Sequence, residues 1–235
     1  MTILSRLFTF PVPFLRAFPP VWLALFLSLV SADLISKKLV TESLNFHLSP
    51  EQHRLITNPV ESDALLDGRP RIDVLGPDGD WIKLRLVFND RFVFGAGPSA
   101  PVVGFFLTLI ATLLLLAYRW HNYDVGHSLA WLFVFSGALG NLIDKMFLKS
   151  LASREWVLGL TPRPGHVGGV VDFVECIWFG WDSMRDVFGL NWLAWRSWPT
   201  FNLADSLIVV GICLLILTMS ERRIASETKE APGSP

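Results

Sequence analysis

The stretch Thr200-Phe201-Asn202-Leu203-Ala204-Asp205 opens an apolar run, Leu203–Met219, that reads as a membrane-spanning helix. It places a carboxylate in the first turn of that helix. An ionised Asp within hydrocarbon costs at least a few kcal/mol, so an acidic residue there points by default to function. The competing reading is an Asp at the interface that solvates or caps the helix start. The segment alone leaves both open, and the choice rests on whether the chain supplies partners for Asp205.

The composition argues for a membrane protein. Of 235 residues, 51% are hydrophobic and 17% charged, with a mean hydropathy of +0.45. That is too apolar for an ordinary soluble domain and too interrupted for spans throughout. Ten Trp and eighteen Phe suit interfacial aromatic belts, although a large core would also use them. A net charge of -1 offers nothing to nucleic acid or another polyanion. Cys176 and Cys213 make no disulfide framework, and both are expected to be packing residues. No CxxC, HExxH or His/Cys cluster suggests a metal.

Residues 17–36 hold the first apolar block, with Arg6 and Arg16 before it and Asp33 and Lys37 at its far end. The block fits a retained span of a core about 30 Å thick. It also fits a signal peptide, with Val30-Ser31-Ala32 as the cleavage site. Further spans are expected at 99–119, 127–146 and 201–220, with small residues Gly137, Ala138 and Gly140 suited to close helix packing. Segments 37–98 and 147–200 lie outside the membrane. Within the first, Arg71–Val74, the turn Gly76-Pro77-Asp78-Gly79 and Trp81–Leu86 predict a β-hairpin, with Ile82, Leu84 and Leu86 on one face and Lys83 and Arg85 on the other. Phe92-Val93-Phe94 extends the sheet, Gly168–Phe173 reads as a short strand or turn, and Asn191–Trp198 reads as interfacial. Residues 220–235 form a polar tail expected to be disordered. Lys and Arg are spread too evenly for charge to orient the chain.

An up-down order of four spans gathers the polar residues at one membrane face. Asp33 and Lys37 close the first span, Asn89 precedes the second, Asn141 and Asp144 close the third, and Asn202 and Asp205 open the fourth. Asp172 stands between the last two in an apolar setting. Residues three apart share a helix face, so Asn141 pairs with Asp144 and Asn202 with Asp205. Two carboxylates in a poorly solvated site cannot both ionise and share a proton. One then deprotonates water while the other polarises a carbonyl. Proton relay or structural hydrogen bonding would use the same residue types.

The motifs narrow this choice. The chain resembles the lipoprotein signal peptidase (signal peptidase II) family, bacterial inner-membrane aspartyl proteases. Asp33-Leu34-Ile35-Ser36-Lys37 is similar to that family's D-x-x-S/T-K, and Asn89 with Phe94-Gly95 to N-x-G-A-A-F. Gly140-Asn141-Leu142-Ile143-Asp144 is similar to G-N-x-x-D-R, Gly169-Val170-Val171-Asp172-Phe173 to G-x-V-V-D-F, and Phe201–Asp205 to F-N-x-A-D. The matches run in family order through all four spans. Lys145 stands for the family Arg, keeping the charge and losing the planar fork. Arg91-Phe92-Val93 replaces G-A-A, and the segments at 45–80 and 146–168 are longer than usual.

The resemblance implies a mainly α membrane protein, a bundle of four transmembrane helices with a small extramembrane β unit forming a periplasmic cradle. Residues 1–219 would make a single membrane-embedded peptidase domain, with the first span retained. The enzyme would be an aspartic endopeptidase that removes the signal peptide from diacylglyceryl-modified prolipoproteins, cutting before the lipidated cysteine. Asp172 and Asp205 would be catalytic. Asn89, Asn141, Lys145, Asn202, Asp144, Asp33 and Lys37 would bind substrate or orient the site. No metal or organic cofactor is implied, and the partners are the prolipoprotein and the bilayer. The protein would be a multi-pass component of the bacterial inner membrane with cytoplasmic termini and a site near the periplasmic face. The competing reading is a non-enzymatic proton- or ion-coupled membrane protein that uses its aspartates as a relay.

Overall fold

A computed structural model of the chain describes residues 20–44, 71–76, 81–89, 101–122, 127–150, 153–161, 163, 165–176 and 198–230, with side chains to Thr218 in the last helix. The expected sheet extension at Phe92–Phe94, the residues Arg91 to Gly95, most of Asn191–Trp198 and the start of the first span lie outside the described residues. Four long helices are present among them: α1 (Pro20–Leu44), α2 (Pro101–His121), α3 (Ser128–Lys145) and α4 (Leu203–Glu230). The strands are β1 (Arg71–Leu75), β2 (Ile82–Asn89), β3 (Phe147–Ser150), β4 (Trp156–Leu158), β5 (His166–Val167) and β6 (Val170–Cys176).

By length and composition α2 qualifies as a membrane span, with a mean hydropathy of 2.2, while the apolar part of α4 is the shorter Leu203–Thr218. Pro101 starts α2 at the position where its missing N–H costs nothing. Gly137 lets the α3 backbone approach that of α4, and Gly140 makes room for the Asp33 carboxylate of α1. A Cβ on Gly137 would collide with the Ala204 carbonyl, and one on Gly140 would lie 2.5 Å from Asp33 Oδ2. Helix α1 docks on α3 and touches α4.

Two helix ends differ from the sequence reading. The α1 helix continues past residue 36 to Leu44, because Lys37 does not mark an aqueous boundary. Lys37 is fully buried, on the same helix stripe as Val30, Asp33, Val40, Thr41 and Leu44. The backbone of α4 continues to Glu230, through residues assigned to a disordered tail. Glu221-Arg222-Arg223-Ile224-Ala225 are good helix formers, and no Pro intervenes before Pro232. Cys213 is exposed on α4 rather than packed, and Cys176 is half-buried; both are free thiols.

The first sheet has the order β1-β2-β6 and is antiparallel, as the hairpin pattern predicts. Its core joins Leu86, Phe88, Val171 and Phe173 to Val40 and Leu44 on the last turns of α1. The pairing of β2 with β6 slips by one residue between Leu84↔Val174 and Val87↔Asp172. Without that bulge Leu86 would stand opposite Asp172, and Phe88 would share its face. With it, Val87 stands opposite and Asn89 takes that face. Lys83 and Arg85 are buried rather than solvated, and Arg85 pairs across the sheet with Glu175 at 3.1 Å. The second sheet, β4-β3-β5, occupies the long segment after α3.

Candidate functional site

Asp172 and Asp205 are 33 residues apart in sequence. One short connection brings them together. Phe201 forms a bridge to β6, donating its N–H to the Val174 carbonyl at 3.1 Å and accepting from Val174 N at 2.8 Å and Phe173 N at 3.1 Å. The start of α4 is thereby pinned beside the strand that carries Asp172. Both aspartates line a cavity of about 540 Å³ together with Asn89, Asn141, Lys145 and Thr108, its remaining wall largely apolar side chains of α2, α3 and α4.

Asn202 is the N-cap of α4. Its Oδ1 accepts the Asp205 N–H at 3.0 Å, and Asp205 Oδ2 accepts the Asn202 N–H at 3.2 Å. This reciprocal pair is a capping box built with Asn and Asp. Asp205 therefore caps the helix and faces the cavity at once. The same Asn202 side chain donates Nδ2–H to Asp172 Oδ1 at 2.7 Å, so one amide links both aspartates. Asn89 Nδ2 donates to Asp172 Oδ2 at 3.0 Å, and Asn141 Nδ2 donates to Asp205 Oδ1 at 2.8 Å. All three expected asparagines thus hold a carboxylate oxygen.

Beneath this layer lies a chain of alternating charges. Lys37 Nζ is 2.7 Å from Asp33 Oδ2, 2.8 Å from Asn141 Oδ1 and 3.5 Å from Asp144 Oδ2. Asp33 Oδ1 accepts the Ala204 N–H at 2.9 Å, fixing the first turn of α4 to α1. Asp144 Oδ2 accepts the Val171 N–H at 2.7 Å, fixing α3 to the residue before Asp172. Asp33, Lys37, Asp144 and Asn202 are completely buried, and Asp172 is 3% exposed. Buried charges persist only when paired and hydrogen-bonded.

Lys145, expected to bind substrate or orient the site, lines the cavity and faces α2. Its ammonium donates to Thr108 Oγ1 at 2.8 Å and to the Gly104 carbonyl at 3.4 Å, tying α3 to α2 at the cavity wall. The cation that pairs Asp144 from the far side is Lys149 of β3, at 2.5 Å. Sequence reasoning missed Lys149, Thr108 and the two backbone N–H donors. The one signal for Lys149 was electrostatic: four aspartates had been placed at one face with only two lysines beside them.

Asp172 lies on β6. Its carboxyl is pushed up to about 8, first by burial and second by the Asp205 carboxylate, against the hydrogen bonds from Asn89 and Asn202. Burial holds the Lys149 ammonium below its ordinary value, with Asp144 opposing. Three lysines (37, 145, 149) and four aspartates (33, 144, 172, 205) balance in charge when the Asp172–Asp205 pair carries one proton. Among the described residues no cluster of His, Cys, Asp and Glu is arranged to hold a metal ion.

Comparison with known proteins follows the motifs. Residues 25–221 match the family model for signal peptidase (SPase) II. A lipoprotein signal peptidase of Leptospira biflexa is 34% identical over 209 residues, covering 88% of this chain and 92% of the relative. One from Borrelia turicatae is 32% identical over 145 residues, covering 59% and 68%. A bacterial membrane enzyme solved by the in meso method at 2.3 Å resolution superposes with a TM-score of 0.48 at 19% identity, covering 93% of this chain and 95% of its own.

Proposed function

Because the chain belongs to the signal peptidase II family, we propose that it removes signal peptides from bacterial prolipoproteins as an aspartic endopeptidase, with Asp172 and Asp205 as the catalytic pair. The observation that carries this reading is that Asp172 and Asp205 line one cavity and are joined behind it by the buried Asn202 side chain, which donates to the Asp172 carboxyl and accepts the Asp205 backbone N–H.

The chemistry follows from where the proton rests. Asp172 is the more deeply buried, and its raised affinity for a proton suits the protonated partner. Asp205 is half-buried and sits in the first turn of α4, with N–H donors on both oxygens. The positive end of the helix suits an anion there. A water between them gives a proton to the Asp205 carboxylate as its oxygen attacks the scissile carbonyl. The Asp172 proton passes to the carbonyl oxygen, forming a tetrahedral diol. Collapse of the diol breaks the C–N bond: the leaving nitrogen takes the proton held by Asp205, and a diol hydroxyl gives its proton to Asp172 as the new carboxyl group forms, so the pair again holds one.

The surroundings suit a lipid-modified substrate. Outward faces of α1, α2 and α4 expose Leu23, Leu27, Phe106, Leu114, Val210 and Ile216, the reverse of a soluble protein, whose exposed apolar patches are small. We take all four helices as spans, with cytoplasmic termini and the sheet β1-β2-β6 as a cradle at the periplasmic face. The apolar cavity walls then admit the diacylglyceryl chains, and the polar end receives the bond before the modified cysteine.

The test is cleavage of a diacylglyceryl-modified prolipoprotein by the purified chain in detergent. Wild type should cleave, while D172N and D205N should bind the lipopeptide without turnover. Cleavage by either variant removes the aspartyl mechanism. Proton transport in proteoliposomes without any cleavage by wild type would replace it with the relay reading.

A further inference from the structure

Lys149 has no part in the chemistry above, yet it is a fully buried cation two bonded contacts away from it. Its ammonium carries three N–H groups, and three oxygens face it. The Asp144 backbone carbonyl accepts at 2.8 Å, the Gly169 carbonyl accepts at 2.6 Å, and Asp144 Oδ1 pairs at 2.5 Å. The first of these is a last-turn carbonyl of α3, where a cation also offsets the negative end of the helix. The second belongs to a glycine at φ 91°, in the left-handed turn that leads into β6. The third is the carboxylate whose other oxygen accepts the Val171 N–H.

We infer that Lys149 is a positioning residue for Asp172: it clamps the end of α3 onto the turn entering β6 and so fixes the backbone from which the Asp172 carboxyl projects. It reaches that backbone by two routes, through Gly169 and through Asp144 to Val171. The inference rests on the aspartyl-protease reading and adds a residue to it.

The long segment after α3 is what delivers this cation. Lys149 stands in the central strand of the sheet β4-β3-β5, opposite Trp156 on one side and Val167 on the other. The Trp156 ring lies 5.0 Å from the ammonium, in cation–π range. Lys145, next to Asp144 in sequence, is spent on Thr108 of α2 and leaves Asp144 to Lys149. A purely structural prop needs no charge here, because buried ion pairs are commonly replaceable by apolar groups without loss of stability. What the ion pair adds is direction at two carbonyls and positive potential felt at Asp172.

The experiment compares K149M and K149R with wild type and D172N, each purified in detergent. Melting temperature, KM and kcat are measured across pH on a diacylglyceryl-modified prolipoprotein. The charges felt at Asp172 are Asp205 on α4, Lys37 on α1, Lys145 on α3 and Lys149 on β3, with Asn89 and Asn202 as hydrogen-bond donors. Removing Lys149 makes the potential there more negative, so Asp172 keeps its proton longer and the alkaline limb moves to higher pH. Folded K149M should lose about 100-fold in kcat, the scale of a small misplacement of a reacting group, with KM nearly unchanged. K149R keeps the charge but cannot place a planar fork on all three oxygens, so it should give an intermediate kcat with the limb at its wild-type position. Wild-type kcat and limb in folded K149M overturn the inference, as does a lowered melting temperature alone. Should K149M fail to fold, K149R decides: a lowered kcat at constant KM supports the inference and a wild-type kcat overturns it. D172N separates the two readings. A D172N enzyme that cleaves ends the aspartyl mechanism, whereas an inactive D172N beside a fully active K149M removes only the role of Lys149.

Discussion

Replacing Asp172 by Asn should stabilise the protein at high pH and destabilise it at low pH, while removing its activity at both. Asp172 holds its proton to about 8 in the folded chain, against 3.8 for the unperturbed group. Between those values the folded state binds the proton and the unfolded state does not, so stability falls as pH rises through that window. At 1.36 kcal/mol per pH unit the cost of burying this carboxyl reaches about 4 kcal/mol at pH 7 and levels off near about 6 kcal/mol above pH 8. An Asn cannot ionise and escapes that cost. It does lose something: both Asp172 oxygens accept amide N–H groups, so an Asn Nδ2 must face either Asn89 or Asn202, donor against donor. Such a mismatch costs about 1–3 kcal/mol at every pH. The net effect is therefore a gain of roughly 2 kcal/mol at pH 7, a larger gain at pH 9 and a loss of roughly 2 kcal/mol at pH 4, where Asp172 is protonated in wild type. Tryptophan fluorescence during thermal unfolding in detergent reads this, with cleavage of a lipidated prolipoprotein followed in parallel. A D172N protein that melts below wild type by the same margin at pH 4 and pH 9 would refute both the raised proton affinity and the account of its cause.

Other perturbations separate parts of the same site. N89A removes a donor that favours the ionised form of Asp172, so the alkaline limb of the pH–rate profile should rise and kcat should fall about 10-fold or more; an unmoved limb would exclude Asn89 from the pair. G140A brings a Cβ against the buried Asp33 carboxylate and should cost about 1–3 kcal/mol by overpacking, read as a lowered melting temperature with the pH profile unmoved. K145M frees α2 from α3 by removing the bonds to Thr108 and Gly104. It should raise KM more than it lowers kcat, because the wall that the substrate packs against loosens while the aspartates keep their partners; equal effects on both parameters would place Lys145 in the chemistry.

The sequence carried the helices and the identity of the acidic residues, because both are written in local signals. Uninterrupted apolar runs mark α2 and the first half of α4, and Pro101 and Asn202 mark where they start. It carried the ends less well. Lys37-Lys38 reads as the edge of a span, yet α1 runs on to Leu44, because Asp33, Asn141 and Asp144 surround the Lys37 ammonium and remove its need for water. Register was illegible too. Nothing in Ile82–Asn89 announces a bulge, but the extra residue turns Asn89 rather than Phe88 toward Asp172, so the hydrogen-bonding asparagine depends on a pairing that only the folded sheet defines.

The charges show why sequence adjacency misleads at such a site. Successive residues of an α-helix point about 100° apart, so Lys145 and Asp144 cannot both face the same partner. Asp144 turns toward α1 and β6, and Lys145 turns toward α2. A carboxylate at the last turn of a helix must then take its counter-ion from the chain that follows or from a neighbouring helix. Here it takes one from each, Lys149 from β3 and Lys37 from α1. Lys145 therefore bears on how α2 is held, and Asp144 pairs with a lysine outside the quoted motifs. A counter-ion held on the sheet that follows α3 is marked by no motif, but it can be found by requiring that every buried charge have a partner.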